Sequence, residues 1–457
     1  MNSVLKKITD GMPKCDLPLL ALIFFMLFAP PILPEINTAM LAAFVVGIVL
    51  LVRHKKEIIP VFKQSGMMIF SALMIVFFMY MAVTTLVNFA VGERVQLMHY
   101  VTLWYRFFLI IPVLLICCLY ICIRSKRLHY SPYDLGMQFV YATMVQFLLA
   151  LLALLIPAVK DWFVDVIYAN TGAYYLDIQW IMLRRGFGFT NSFVDSFGFG
   201  MGIIAALPLF FIKKNRLKIL YFIPCAIFIS LVNVRTGLIM SGLGLVFCLP
   251  VIIKTLIKEK LRLVAAASGA LLVLVGFVAL VQVRNPITIS WILGDIASFT
   301  EHNPPQGDLI EDPDDLPDSG EDEKNPHFND ANSTTAENLF SEGFWHFPSG
   351  ASLIFGTGHT VYEAEGYAHS DVGYVNDLWM AGIVGALLLY AAFAYVLWSA
   401  VKGSAANIKW LILFFAVSIV LFQVKANAFM FNAGLNTILP LCFFIRLFNA
   451  QQKEGQL

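Results

Sequence analysis

The chain alternates between long apolar runs and short polar breaks, and the runs have the length of membrane helices. About 20 consecutive apolar residues are needed to cross the hydrocarbon core as a helix. About twelve runs qualify, at 17–34, 36–52, 66–90, 98–123, 135–157, 191–212, 217–233, 236–253, 263–283, 374–400, 409–424 and 428–447. The pattern predicts an all-α polytopic membrane protein with about 12 transmembrane helices. Pro30, Pro31 and Pro34 interrupt the first pair, which is either two spans or one re-entrant hairpin. One interval breaks the alternation. Residues 284–373 are polar, acidic and Pro-rich, and they divide the chain into three regions. Residues 1–283 carry spans 1–9 with a medium loop at 158–190, 284–373 form one large loop, and 374–457 carry spans 10–12.

The large loop has two parts. Residues 301–338 include Glu311-Asp312-Pro313-Asp314-Asp315 and Glu321-Asp322-Glu323, an acidic, Pro-rich composition with few apolar anchors that predicts disorder. From Leu339 the aromatics return in Phe340, Phe344, Trp345 and Phe347, which predicts short helices lying on the membrane face over 339–368. A hydrophilic loop of this length between spans is usually functional.

Composition agrees with the pattern. Hydrophobic residues make up 59% of the chain, charged residues 13%, and the mean hydropathy is +0.77. The net charge of +1, without a basic patch interleaved with aromatics, gives no reason to expect nucleic acid as a partner. Leu17 to Leu33 is followed by Pro34 and Glu35 with no small-residue cleavage site, so it reads as a retained first span. Six of the seven cysteines lie inside apolar runs, none lies in the large loop, and none has zinc-site spacing.

Lys and Arg set the orientation. They gather in alternate breaks: Lys6, Lys7 and Lys14; Arg53, Lys55 and Lys56; Arg124, Lys126 and Arg127; Lys213, Lys214, Arg216 and Lys218; Lys254, Lys258, Lys260 and Arg262. Lys402, Lys409, Arg446 and Lys453 continue the series. These breaks and both termini are therefore expected in the cytoplasm, with the large and medium loops on the other side.

The outward breaks hold the residues able to carry chemistry. Arg184 and Arg185 lie in the medium loop, Arg235 sits in a very short turn, and Arg284 opens the large loop. Guanidinium groups converging there would bind a phosphate or pyrophosphate through charge-assisted, often bidentate hydrogen bonds. Each could instead snorkel singly to the head groups. Gly186, Gly188, Gly198 and Gly200 follow the arginine pair and suit either close ligand approach or helix packing. His369 precedes Ser370 and Asp371, which look like N-cap residues of the tenth span. A helix N-terminus disfavours the imidazolium, so His369 could act as a general base, or it could simply make a capping hydrogen bond. Asp371 is the nearest competing base. Asp312-Pro313-Asp314 superficially matches the Asp-X-Asp of nucleotide-sugar transferases, but it falls outside the cytoplasm, where nucleotide sugars are not supplied.

Taken together these residues resemble the O-antigen polymerase and ligase superfamily of bacterial envelope proteins. Arg184 and Gly200 are separated by fifteen residues, similar to a spacing found in polymerases. Val234-Arg235-Thr236-Gly237 looks like the Arg-Thr-Gly turn of the family. Phe355-Gly356-Thr357-Gly358-His359, then His369-Ser370-Asp371 and Gly382-Ile383-Val384-Gly385, resemble its His, polar residue, Gly-X-X-Gly pattern. The gap between Ser370 and Gly382 is longer than in ligases, which favours polymerase.

The resemblance implies a GT-C-like glycosyltransferase in the bacterial inner membrane, with its active site facing the periplasm and no metal or other cofactor. The substrate would be an oligosaccharide repeat unit on undecaprenyl pyrophosphate, and transfer would invert the anomeric centre. His369 and Asp371 would be the catalytic candidates, and Arg184, Arg185, Arg235 and Arg284 would hold the pyrophosphate. Membrane lipids, a chain-length regulator and a flippase would be partners. A ligase passing glycan to lipid A–core and a membrane transporter are the alternatives.

Overall fold

The structure, a computed structural model, describes residues 13–32, 37–91, 104–105, 109–171, 188–190, 194–212, 217, 220–232, 235–286, 288–289, 345–358, 372–429 and 433–455. Every element among them is helical, as the apolar pattern requires. The N-terminal part comprises α1 (Leu17–Phe28), α2 (Thr38–Arg53), α3 (Lys55–Gln64), α4 (Met67–Val91), α5 (Ile111–Arg127), α6 (Pro132–Leu155) and α7 (Pro157–Thr171). It continues with α8 (Val194–Phe210) and α9 (Ile223–Leu231). A helical run, Arg235–Arg284, contains two apolar segments, α10 (Thr236–Thr255) and α11 (Leu261–Arg284). Then come α12 (Gly350–Phe355), α13 (Gly373–Val401), α14 (Ala406–Lys425) and α15 (Ala433–Lys453).

Local sequence fixes the helix ends. The side chain of Asp16 accepts from Leu19 N to start α1. Ser131 and Asp134 form a reciprocal capping box at α6, which satisfies amide donors that have no partner within the helix. Ala29, in the left-handed region at φ 39°, ends α1 just before Pro30 and Pro31, which could not continue it.

Among the described residues seven helices, α4, α6, α10, α11, α13, α14 and α15, are long and apolar enough to cross a membrane, or eight if the bent pair α2–α3 is one span. Residues of α1, α8 and α9 form shorter apolar helices. The chain is an all-α polytopic membrane protein, and by length alone its described helices give fewer spans than the twelve apolar runs. The 12 residues of α1 rise only about 18 Å, short of the roughly 30 Å hydrocarbon core.

The run Arg235–Arg284 cannot be straight. Gly237 packs on Ser230 at the end of α9, and Phe277 lies 5.8 Å from Phe228 in the same turn of α9. Forty residues of straight helix would separate the two by about 60 Å. The run therefore reverses between α10 and α11, and α11 returns alongside α9, with Gly269 packed on Tyr221 just before that helix.

α15 lies at the centre, with most of its side chains buried. Its polar residues find partners on neighbouring helices. Asn436 Nδ2 donates to Met26 O at 2.7 Å, Arg446 Nε to Gln64 O at 3.2 Å, and Asn449 Nδ2 to Ser404 Oγ at 2.8 Å. Phenylalanines fill the space between helices, for example Phe199 stacked on Phe422 at 4.2 Å.

One end of the bundle collects the basic breaks. Arg124 pairs with Asp16 at 2.8 Å, Arg127 pairs with Glu57, and Tyr130 Oη donates to Lys14 O at 3.1 Å. Asn407 Nδ2 donates to Phe210 O at 3.1 Å. Partial burial alone would raise the Glu57 carboxyl. The adjoining Arg127 and His54 outweigh it and hold Glu57 below its ordinary value. The far ends of α1, α4, α8, α13 and α14 meet at the opposite end.

Candidate functional site

The site is built at the end opposite the basic breaks, around a break in α13. Gly382 has φ 63° and ψ −176°, a conformation that only glycine adopts readily. Tyr390 Oη donates to Asp377 Oδ2 at 2.9 Å, although the two residues would be about 20 Å apart along a straight helix. α13 is therefore sharply folded at Gly382, and residues 373–381 lie back against 383–401. Those last 19 residues rise about 28 Å and can cross the membrane unaided, so the break lies at the end of a span.

The break frees carbonyls in the turn before it, and the segment Phe355–Gly358 occupies them. Thr357 N donates to Trp379 O at 2.8 Å, Gly358 N donates to Met380 O at 2.9 Å, and Thr357 Oγ1 donates to Trp379 O at 3.0 Å. On its other side the same segment meets polar side chains of α4. Thr85 Oγ1 donates to Gly358 O at 2.8 Å and Asn88 Nδ2 donates to Thr357 O at 2.5 Å. Tyr80 Oη lies 2.8 Å from Phe355 O and 3.1 Å from Ala381 O and shares its single proton between them.

Gly356 and Gly382 touch back to back. A Cβ on Gly382 would fall 2.4 Å from Gly356 N, and one on Gly356 would fall 2.5 Å from the Ala381 carbonyl carbon. The Gly-rich stretch that ends the large loop and the Gly-X-X-Gly stretch of the following helix are thus one structural unit.

Below them lies a buried carboxylate that is not among the candidate residues of the sequence pattern. Asp377 is 0% exposed. It accepts from Tyr390 Oη, from Gln423 Nε2 at 2.5 Å and from Asn427 Nδ2 at 2.8 Å. Gln423 Oε1 in turn accepts from Ala428 N at 2.6 Å, and Asn427 Oδ1 accepts from Phe429 N at 2.9 Å. The network ties the start of α13 to the α14–α15 turn. A carboxylate is seldom fully buried unless it is paired or hydrogen-bonded, and three side-chain donors meet that need here.

The sequence-predicted residues divide between described and undescribed positions. Arg184, Arg185, His369 and Asp371 lie outside the described residues, as does most of the loop 284–373. The helix after His369 and Asp371 begins at Gly373, where a Cβ would meet Gln423 Cδ at 2.6 Å and Ala426 O at 2.7 Å. Arg235 opens its helical run beside the far end of α9, and Arg284 is exposed at the end of the returning α11. The reversal of the run puts both at this end of the bundle.

Downstream of the arginine pair, Gly188 at φ +65° presses against Gln146, and Thr190 Oγ1 donates to Phe28 O at 2.6 Å. That segment is anchored between α1 and α6. Gly200 is a packing residue, since a Cβ there would lie 2.4 Å from Ala433 Cβ. Among the described residues no group of three or more His, Cys, Asp or Glu side chains is placed to hold a metal.

No family model matches the chain, and neither a curated protein nor a solved structure matches it.

Proposed function

We propose that the chain polymerises lipid-linked oligosaccharide repeat units at the outer face of the bacterial inner membrane. The observation that carries this reading is the seating of Phe355–Gly358 on the Gly382 break, at the end away from the basic breaks, with the stretch that holds His369 and Asp371 joining the two in sequence. On this reading the chain has about twelve spans, residues 17–52 forming either two of them or one re-entrant hairpin, and the loop 284–373 faces the periplasm. The donor is a growing glycan on undecaprenyl pyrophosphate and the acceptor is one repeat unit on the same lipid. The acceptor hydroxyl oxygen attacks the donor's anomeric carbon from the side opposite the leaving group. The carbon–oxygen bond to pyrophosphate breaks as the new glycosidic bond forms, with inversion.

His369, or Asp371 in its place, takes the hydroxyl proton. Arg184, Arg185, Arg235 and Arg284 stabilise the charge that develops on undecaprenyl pyrophosphate as it departs. The apolar bundle provides the surface along which the polyprenyl tails lie, and a chain-length regulator and a flippase would work beside it.

Polymerase is favoured over transporter by the position of the break. Discontinuous helices of transporters open near the bilayer midplane, whereas here a full span follows Gly382. Ligase and polymerase separate in a strain deleted for the chain. Single repeat units on the surface would support polymerase, and polymerised glycan left on undecaprenyl pyrophosphate would support ligase. Unaltered surface glycan would reject both.

A further inference from the structure

The corner between α2 and α3, at the basic end, takes no part in the site above. α2 carries an exposed apolar stripe of Phe44, Val45, Ile48, Leu51 and Val52, spaced to lie along one side of the helix. The stripe ends at Arg53, which is exposed. The chain then bends by 110° and α3 runs across the end of the bundle. Val61 of α3 is fully buried, and Ile58 and Phe62 pack against the core, which fixes the face that α3 turns inward. The opposite face exposes Lys55, Lys56, Ile59 and Lys63.

The single acid of α3 is turned away from that face. Glu57 is bound by Arg127 and lies 3.5 Å from His54 Nδ1, and His54 is itself buried beside Tyr120. What remains outward is cationic, with an apolar residue between the lysines. A soluble polyanion would gain nothing from Ile59, whereas the boundary between head groups and acyl chains accommodates both characters. Ammonium and guanidinium groups at a membrane surface attract anionic lipid at about 1 kcal/mol each, or roughly fivefold per residue.

We propose that this corner is a binding site for an anionic phospholipid. Arg53, Lys55 and Lys56 hold the headgroup phosphate, the acyl chains lie along the α2 stripe, and Lys63 extends the basic surface along α3. The inference does not depend on the reaction proposed for the other end.

Purified full-length protein, incubated with an equal mixture of phosphatidylglycerol and phosphatidylcholine, is examined by native mass spectrometry. Wild type is expected to retain phosphatidylglycerol at least about fivefold more than phosphatidylcholine, and added salt should reduce the preference. Arg53→Gln/Lys55→Gln/Lys56→Gln should lose it, while Lys402→Gln/Lys453→Gln, elsewhere at the same end, should keep it. Lys55→Arg/Lys56→Arg should also keep it, which separates loss of charge from loss of fold. Excess inorganic phosphate should not displace the lipid, because it lacks the acyl contact. Equal retention of the two lipids by wild type, undiminished preference in the triple Gln variant, or displacement by phosphate would each overturn the site.

Discussion

At the scale of single residues, Gly382 and Asp377 carry the architecture of the opposite end. A side chain at Gly382 meets both a left-handed φ and the Gly356 backbone at 2.4 Å. Backbone strain of this kind costs about 1–3 kcal/mol, so Gly382→Ala should lower the thermal midpoint by several degrees in detergent. Gly242 is the control, because nothing lies within 4 Å of a Cβ there. Gly242→Ala should leave the midpoint unchanged or raise it slightly, since Ala is the better helix former. Equal midpoints for the two variants would mean that the break is not held as described. Asp377→Leu leaves the donors of Tyr390, Gln423 and Asn427 facing an apolar side chain, each at a cost of about 1–3 kcal/mol. Asp377→Asn retains one acceptor oxygen and should be milder, and Tyr390→Phe should cost about 1 kcal/mol. A Leu variant as stable as wild type would remove the network from the account. Asp377 leaves no signal in the sequence, because its partners Gln423 and Asn427 come 46 and 50 residues later, beyond the reach of any helical period. Gly382 was visible as half of a Gly-X-X-Gly motif, but its φ leaves no mark in a hydropathy pattern.

At the scale of elements, the lysines and arginines over 254–262 mark a turn inside an otherwise continuous helical run. The apolar runs at 236–253 and 263–283 overlap α10 and α11, and the charges between them explain why the chain reverses there: they belong in water, not in a continued span. Thiol labelling tests this directly. Cys15 is exposed at the basic end, and the other six cysteines are buried. An impermeant maleimide should label Ile257→Cys, in a Cys15→Ser background, from the same side as native Cys15, because Ile257 is 81% exposed at the reversal. Phe347→Cys should label from the other side. Labelling of positions 257 and 347 from one side would contradict the reversal. The bend at α3 yields a prediction in pH. Glu57 titrates below its ordinary value when folded, so its pairing stabilises the protein fully above the unfolded value and is lost as pH falls through the folded one. The pair is largely exposed and should contribute under about 1 kcal/mol. The midpoint of wild type relative to Glu57→Gln should therefore be slightly higher at neutral pH, and the difference should shrink on acidification and vanish once pH has passed below the lowered folded value of Glu57. A difference that grows on acidification would reverse the assignment. That Glu57 faces Arg127 rather than its own helix's lysines is a tertiary choice across 70 residues, which the charge pattern could not specify.

At the scale of the whole molecule, the bundle has two chemically distinct ends. The distribution of Lys and Arg predicted that division, because alternate breaks of a polytopic chain must fall on alternate faces. The number of full-length spans was less legible. α1 is stopped early by Ala29 and the prolines, and α13 spends its first nine residues folded back instead of crossing. One end binds together the basic breaks and offers the α2–α3 corner. The other carries the folded α13, its docked Gly-rich segment, the start of Arg235's helix and exposed Arg284. The proposed reaction belongs at this second end, where lipid-linked substrates and their pyrophosphate would meet the arginines. The most direct measurement reconstitutes purified protein with undecaprenyl-pyrophosphate-linked repeat units taken from a strain deleted for the chain, and resolves the products by size. Wild type should give a ladder of lengthening glycans. Arg235→Lys, which keeps the charge but loses the bidentate fork, should give a weakened ladder and Arg235→Ala none. His369→Gln should slow the reaction by about 10²–10⁴-fold. The absence of any ladder from folded wild type, or a full-length ladder from Arg235→Ala, would contradict the account.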